Sequence, residues 1–130
     1  VSHRGTLMGN RGILHDADQQ IRREWAHQHW VTCLLEFRGI QRAKPFSTPD
    51  NYSELFFLDE ATAFAAGHRP CHHCQRERSA AFKTAWTRGN APDAGFISMQ
   101  DIDRTLHRER VDRSRGKVTF ERALESLPPG

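Results

Sequence analysis

The sequence predicts an α+β fold, a small antiparallel sheet with helices gathered around a sulfur-bearing turn. Residues 30 to 37, WVTCLLEF, are rich in β-formers, and residues 54 to 59, ELFFLD, give the same signal. Beyond residue 59 the apolar residues recur three and four apart, which is the helical period. Between those helical stretches lies Cys71-His72-His73-Cys74, two thiols at the spacing of metal ligands.

Taken in order, residues 5 to 16, GTLMGNRGILHD, read as turns around short extended pieces, because Gly and Asn recur there. Residues 21 to 28, IRREWAHQ, place Ile21 and Trp25 four apart and predict one helical turn. Along 30 to 37, Val31, Cys33, Leu35 and Phe37 share an apolar face, and Trp30, Thr32, Leu34 and Glu36 a mixed one. Residues 38 to 53, with Pro45, Pro49 and an Asp-Asn pair, form a long connection. Asp59 caps a short helix, EATAFAA, which Gly67 stops as a C′ glycine. A longer helix is predicted from His72 to Arg88, with Ala81, Phe82, Ala85 and Trp86 as its apolar stripe and Gly89 at its end. Ser98 and Asp101 stand in capping-box spacing at the head of SMQDIDRTLHRER, where Ile102 stacks on Leu106. A last helix, TFERALESL, aligns Phe120, Ala123, Leu124 and Leu127 ahead of Pro128-Pro129.

With 130 residues the chain is expected to form a single domain, 1–130, whose core needs no disulfide staples. No apolar run approaches the ~18 residues of a membrane span, and the start lacks the charged-then-apolar pattern of a signal peptide. Three cysteines, two of them in Cys-x-x-Cys, suit a reducing cytoplasm and a metal or redox role rather than a disulfide framework. The net charge is +3, and three lysines (Lys44, Lys83, Lys117) leave sixteen arginines among the nineteen basic residues. Arginine's planar fork suits phosphates and base edges. A GC-rich genome, which spells Arg readily, would give the same bias.

Cys71 and Cys74 sit where a turn feeds a helix, so both sulfurs point to one side and the helix start favours the thiolate. Zinc closes such a site with four ligands. The competing thioredoxin-like redox pair needs a βαβ setting that the pattern lacks. Zn2+ is therefore the expected cofactor, in a zinc-bearing core of about residues 7–90 followed by a helical part of about 97–127. Cys33 is the remaining thiol and the third expected ligand; its alternation with Val31, Leu35 and Phe37 equally suits a buried small hydrophobe. For the fourth ligand, His29 shares a strand face with Cys33 but lies about 13 Å away along it. His72 and His73, between the cysteines, are poorly aimed. His15 and His107 each arrive from another segment, and His15, in the compact GILHD turn, is chosen.

LFFLDEATAFAAGHRPCHHCQRE resembles the zinc-binding N-terminal domain of the Ada DNA alkylation repair family, through Gly67, Arg69, Pro70, Cys71, Cys74 and Gln75. The likeness covers roughly residues 30 to 77, and the whole chain looks like a group of bacterial Ada-like metal-binding proteins. It implies a sheet and helices around a zinc knuckle, with His68 in a packing slot. In that family two further cysteines, three residues apart, complete the site, and one takes a methyl group from a DNA phosphotriester. Here the corresponding stretch is EFRGIQRAKPF. The metal-binding role carries over, while the methyl-transfer chemistry lacks its cysteine pair.

Two functions are open. The first is a zinc-stabilised domain contacting DNA or another nucleic acid, with Arg69, Arg76 and Arg78 flanking the metal turn. The resemblance places Arg38 and Arg42 on a loop nearby. Such a patch neutralises phosphates; the same arginines could be solvated and balanced by Glu36, Glu54 and Glu77. The second is an enzyme. A metal-dependent nuclease would use Asp103 and His107, four apart on a helix, with Glu109 near; an exposed ion-pair face gives the same spacing. A zinc-thiolate methyl acceptor would need an outward-facing sulfur.

Overall fold

The computed structural model describes residues 5–37, 40–41, 50–112, 118–119 and 121–126. In chain order the elements are β1 (Leu7–Asn10), β2 (Val31–Leu34), β3 (Glu36–Phe37), β4 (Ile40–Gln41), β5 (Leu55–Phe57), α1 (Glu60–Ala65), β6 (Arg69–Pro70), α2 (Arg76–Asn90) and α3 (Met99–Arg110). The class is α+β, as expected. The main sheet has the order β5-β1-β2-β6, and β3 pairs with β4 in a separate hairpin. No helix among the described residues is long and apolar enough to cross a membrane.

The sheet is mixed rather than antiparallel. β1 runs antiparallel to β2 and β5, whereas β6 runs parallel to β2. The chain leaves β5, passes through α1 and returns along the other edge of β2. Arg69 N–H donates to the Trp30 carbonyl at 3.0 Å and Cys71 N–H to the Thr32 carbonyl at 2.9 Å. Pro70, which has no N–H, falls on the one position between them that need not donate to this ladder.

The helical turn expected over 21 to 28 does not form. The Asp16 carboxylate accepts from the Asp18 and Gln20 amides, Arg22 N–H bonds to Leu14 O, and Ala26 N–H bonds to Arg11 O. Those donors are committed backwards along the chain, so no i→i−4 ladder remains to them. α1 is capped as expected: Asp59 accepts from Thr62 N–H at 2.8 Å. Its other end is a Schellman motif, with His68 N–H on Ala63 O, Gly67 N–H on Phe64 O, and Gly67 at φ 86. α2 starts at Arg76 and not His72, because the sulfur turn uses the intervening residues, and it passes through Gly89 to Asn90. Of its expected stripe, Ala81 and Ala85 are exposed and Phe82 and Trp86 half-buried. α3 carries the expected capping box between Ser98 and Asp101 and buries Ile102 and Asp103. Near the C-terminus a short 3-10 turn, Leu124–Ser126, stands where a helix was expected, and it is exposed. Phe120 and Leu127, half of that expected stripe, lie outside the described residues.

Both faces of β2 are covered. Met8, Cys33 and Cys74 form a buried cluster on one, with Val31, Leu34, Leu35 and Tyr52 packed against it. The side predicted to be mixed is the more deeply buried: Trp30 is 0 % and Thr32 1 % exposed. Cations account for this. The guanidiniums of Arg11 and Arg110 lie over the Trp30 ring at 4.2 and 3.9 Å, an arrangement worth about 0.5–2 kcal/mol each. Burial lowers the Arg110 pKa to about 10, with Arg11 and Arg69 adding repulsion and Asp103 opposing it.

Asp103 is held by Arg69 through two bonds, 2.7 Å to Nε and 2.8 Å to Nη2, both residues being buried. Removing one partner strands a buried charge. Asp103→Ala is expected to lose about 3–5 kcal/mol in denaturant unfolding, and the paired change Arg69→Met with Asp103→Leu should recover most of that loss.

Candidate metal centre

The sulfur group starts from one carbonyl. Thr32 O, in the middle of β2, accepts both Cys71 N–H at 2.9 Å and Gln75 Nε2 at 2.8 Å, using both of its lone pairs. Gln75 N–H then donates to Cys71 O at 2.9 Å, which closes the turn between the two cysteines. The turn is thus pinned to the strand one residue away from Cys33. From the other side, Leu34 N–H donates to the Cys74 sulfur at 3.4 Å.

These bonds bring Cys33, Cys71 and Cys74 together, with their sulfur atoms all within 4.8 Å of one another. In a tetrahedral zinc site with bonds of ~2.3 Å, neighbouring sulfurs stand about 3.8 Å apart, so small rotamer changes suffice to close on an ion. Cys33 and Cys74 are buried and Cys71 is half-buried. The Cys71 thiol is pulled down to about 4 by the hydrogen bond from Cys33, helped by the backbone N–H groups of Cys74 and His73 and opposed by burial. The Cys74 thiol moves up, chiefly because burial disfavours its charge and next because Cys71 lies beside it. The first negative charge of the group therefore rests on Cys71. Both readings of Cys33 meet here, since it lines the core cluster and also faces the two turn sulfurs.

His15 is not part of this group. It is buried, its Nδ1 lies 2.5 Å from Ser53 Oγ, and that oxygen also accepts from the Leu14 and His15 amides. Its turn closes on Ser53 rather than on the sulfurs. His72 and His73 are exposed, and His29 stacks on His27 with centroids 3.9 Å apart. His68 packs as expected, 4.8 Å from the Phe57 ring and 5.7 Å from Trp30.

The Asp103–His107 couple does not form. Asp103 is committed to Arg69, and the His107 ring stands edge-on to Trp25 at 4.4 Å. The same ion pair corrects the basic patch, because Arg69 is buried in it and offers nothing to a surface ligand. Arg76 and Arg78 are exposed, with Arg78 paired to Glu60 at 3.0 Å. Arg38 and Arg42 lie outside the described residues. The Thr32 carbonyl escapes sequence reading, as any backbone acceptor does; the signal that could have found it is Gln75, the turn residue whose side chain reaches it. No family profile, curated protein or solved structure matches the chain.

Cys33→Ala, Cys71→Ser and Cys74→Ser should each abolish stoichiometric metal binding and lower stability together, since metal binding and folding are coupled. A Cys33→Ala protein that kept its metal by elemental analysis would return Cys33 to the core. Because the Cys71 thiol is held well below the usual thiol range by the hydrogen bond from Cys33, metal uptake should release fewer than three protons. Calorimetry in buffers of different ionisation enthalpy counts them.

Proposed function

We propose that the chain is an Ada-like zinc-binding domain in which a structural ion braces the sulfur turn against β2, and that a basic surface beside it binds nucleic acid. The observation that supports this best is the convergence of Cys33, Cys71 and Cys74 from two distant parts of the sequence. Thiolate donors with hydrogen-bonded sulfurs suit zinc. The chain has no fourth cysteine, so a nitrogen or oxygen donor completes the coordination. Support for the nucleic-acid role comes from charge: Arg76 on α2 and Arg108 on α3 are exposed, and the chain is net positive, while the exposed Arg104 is offset by its ion pair with Asp101. Arg78, two residues from Arg76 on α2, is exposed as well and partly offset by Glu60.

A structural role is favoured over methyl transfer. Cys33 and Cys74 are inward, and the one half-buried sulfur, Cys71, has its charge spread over a neighbouring thiol and two backbone amides. Hydrogen bonds of that kind lower nucleophilicity.

Purified protein should hold one zinc, and excess chelator should lower its melting temperature sharply. Binding to duplex or single-stranded DNA should weaken steeply with salt. Arg76→Glu with Arg78→Glu should make the slope of log K against log salt shallower, by about one for each phosphate that is no longer neutralised. Binding without salt dependence, or none at low salt, would sink the nucleic-acid reading and leave the metal reading standing. Intact mass after exposure to a methyl phosphotriester DNA should be unchanged; a stoichiometric methyl gain would make the protein a repair enzyme.

A further inference from the structure

Between α2 and the first turn of α3 lies a cleft of about 670 Å3, within the size range of small-molecule sites. Its floor is the Arg69–Asp103 ion pair, which is internally neutral. Above the floor, polar groups arrive from separate elements: His29 from the segment before β2, His72 from the sulfur turn, Ser79 and Lys83 from α2, and Gln100 from α3. Ser79 is 0 % exposed, and its Oγ has no hydrogen-bond partner. A buried hydroxyl left without a partner costs about 1–3 kcal/mol, and this one lines the cleft, where a bound group can satisfy it. Lys83, whose Nζ lies 4.9 Å over the exposed Phe96 ring, adds a positive charge that the floor does not cancel. Ala80 and Met99 supply apolar wall.

We propose that this cleft binds a small organic phosphate. Donors converging from several directions suit a tetrahedral group with many acceptor oxygens better than a planar carboxylate, which presents two. The phosphate takes Lys83 and the Ser79 hydroxyl, with His29 or His72 completing its shell. The organic part lies against Ala80 and Met99, within reach of the Gln100 amide. This site is distinct from the sulfur group and does not depend on the nucleic-acid reading.

The test is calorimetric titration of the metal-replete full chain with adenosine 5′-monophosphate, with adenosine and inorganic phosphate as controls. Binding of the monophosphate is expected, with adenosine much weaker and inorganic phosphate between them or weaker. Lys83→Met should weaken it at least roughly tenfold, the loss of one charged hydrogen bond, and Ser79→Ala severalfold. Ala80→Trp, at an exposed helix position, should fill the cleft and abolish binding while melting temperature and metal content stay unchanged. Failure of the monophosphate to bind at millimolar concentration overturns the proposal. So does adenosine binding equally well, or affinity that is indifferent to Lys83→Met and Ala80→Trp. Nucleic-acid binding that survives Ala80→Trp leaves the two sites separate.

Discussion

The two-residue parallel pairing of β6 with β2 sets everything near the sulfurs. Two backbone bonds, Arg69 N–H to Trp30 O and Cys71 N–H to Thr32 O, fix the register. Arg69 then reaches Asp103 on α3, and the turn that follows the strand brings its sulfurs beside Cys33 on β2. A one-residue slip would turn Arg69 away from Asp103 and carry the sulfur turn out of reach of Cys33. So short a strand holds register through its side chains. The Gln75 amide on Thr32 O, the Arg69–Asp103 pair and the shared sulfur group each act as a separate pin.

The local devices were readable in the sequence because they are local. Asp59 over Thr62, Gly67 behind α1 and the Ser98–Asp101 box are interactions within a few residues, and each forms where its residue types stand. What failed was long-range. Periodicity over 21 to 28 suggested a helix, but there the Arg22 amide is claimed by the Leu14 carbonyl and the Ala26 and His27 amides by the Arg11 carbonyl. Parallel pairing could not be seen, since a Pro-containing dipeptide carries no strand signal. At the site, Cys71 and Cys74 announced themselves by spacing. Cys33 joins them from 38 residues earlier (71 minus 33), a separation that no motif encodes.

Charge proved hardest to read. Counting arginines treats all as surface groups, yet here Arg69 is buried in an ion pair and Arg11 and Arg110 spend their charge on the Trp30 ring. Arg110 also donates to the Gly67 and Gln28 carbonyls. Among the described residues these three, Arg69 buried and Arg11 and Arg110 half-buried, thus serve the fold itself. The same economy explains why a helix as polar as α3 can form part of the core: its apolar contribution is mainly Ile102, and its buried acid and its last arginine do the remaining packing through hydrogen bonds.

The sulfur group also has a temporal side. Cys71 and Cys74 are separated by two residues, in a turn that Gln75 closes on Cys71 O, so the pair can assemble from a short peptide without waiting for the sheet. Cys33 can join only after the chain has looped back, and closing a loop of that length is an entropic cost that grows only slowly with each added residue. A metal ion caught first by the turn would make β2 the late arrival, turning the ion into the anchor on which the parallel edge is laid down. The connection between β2 and β5 would then be free to lengthen or shorten between homologous chains at small cost, while the four-residue turn would not.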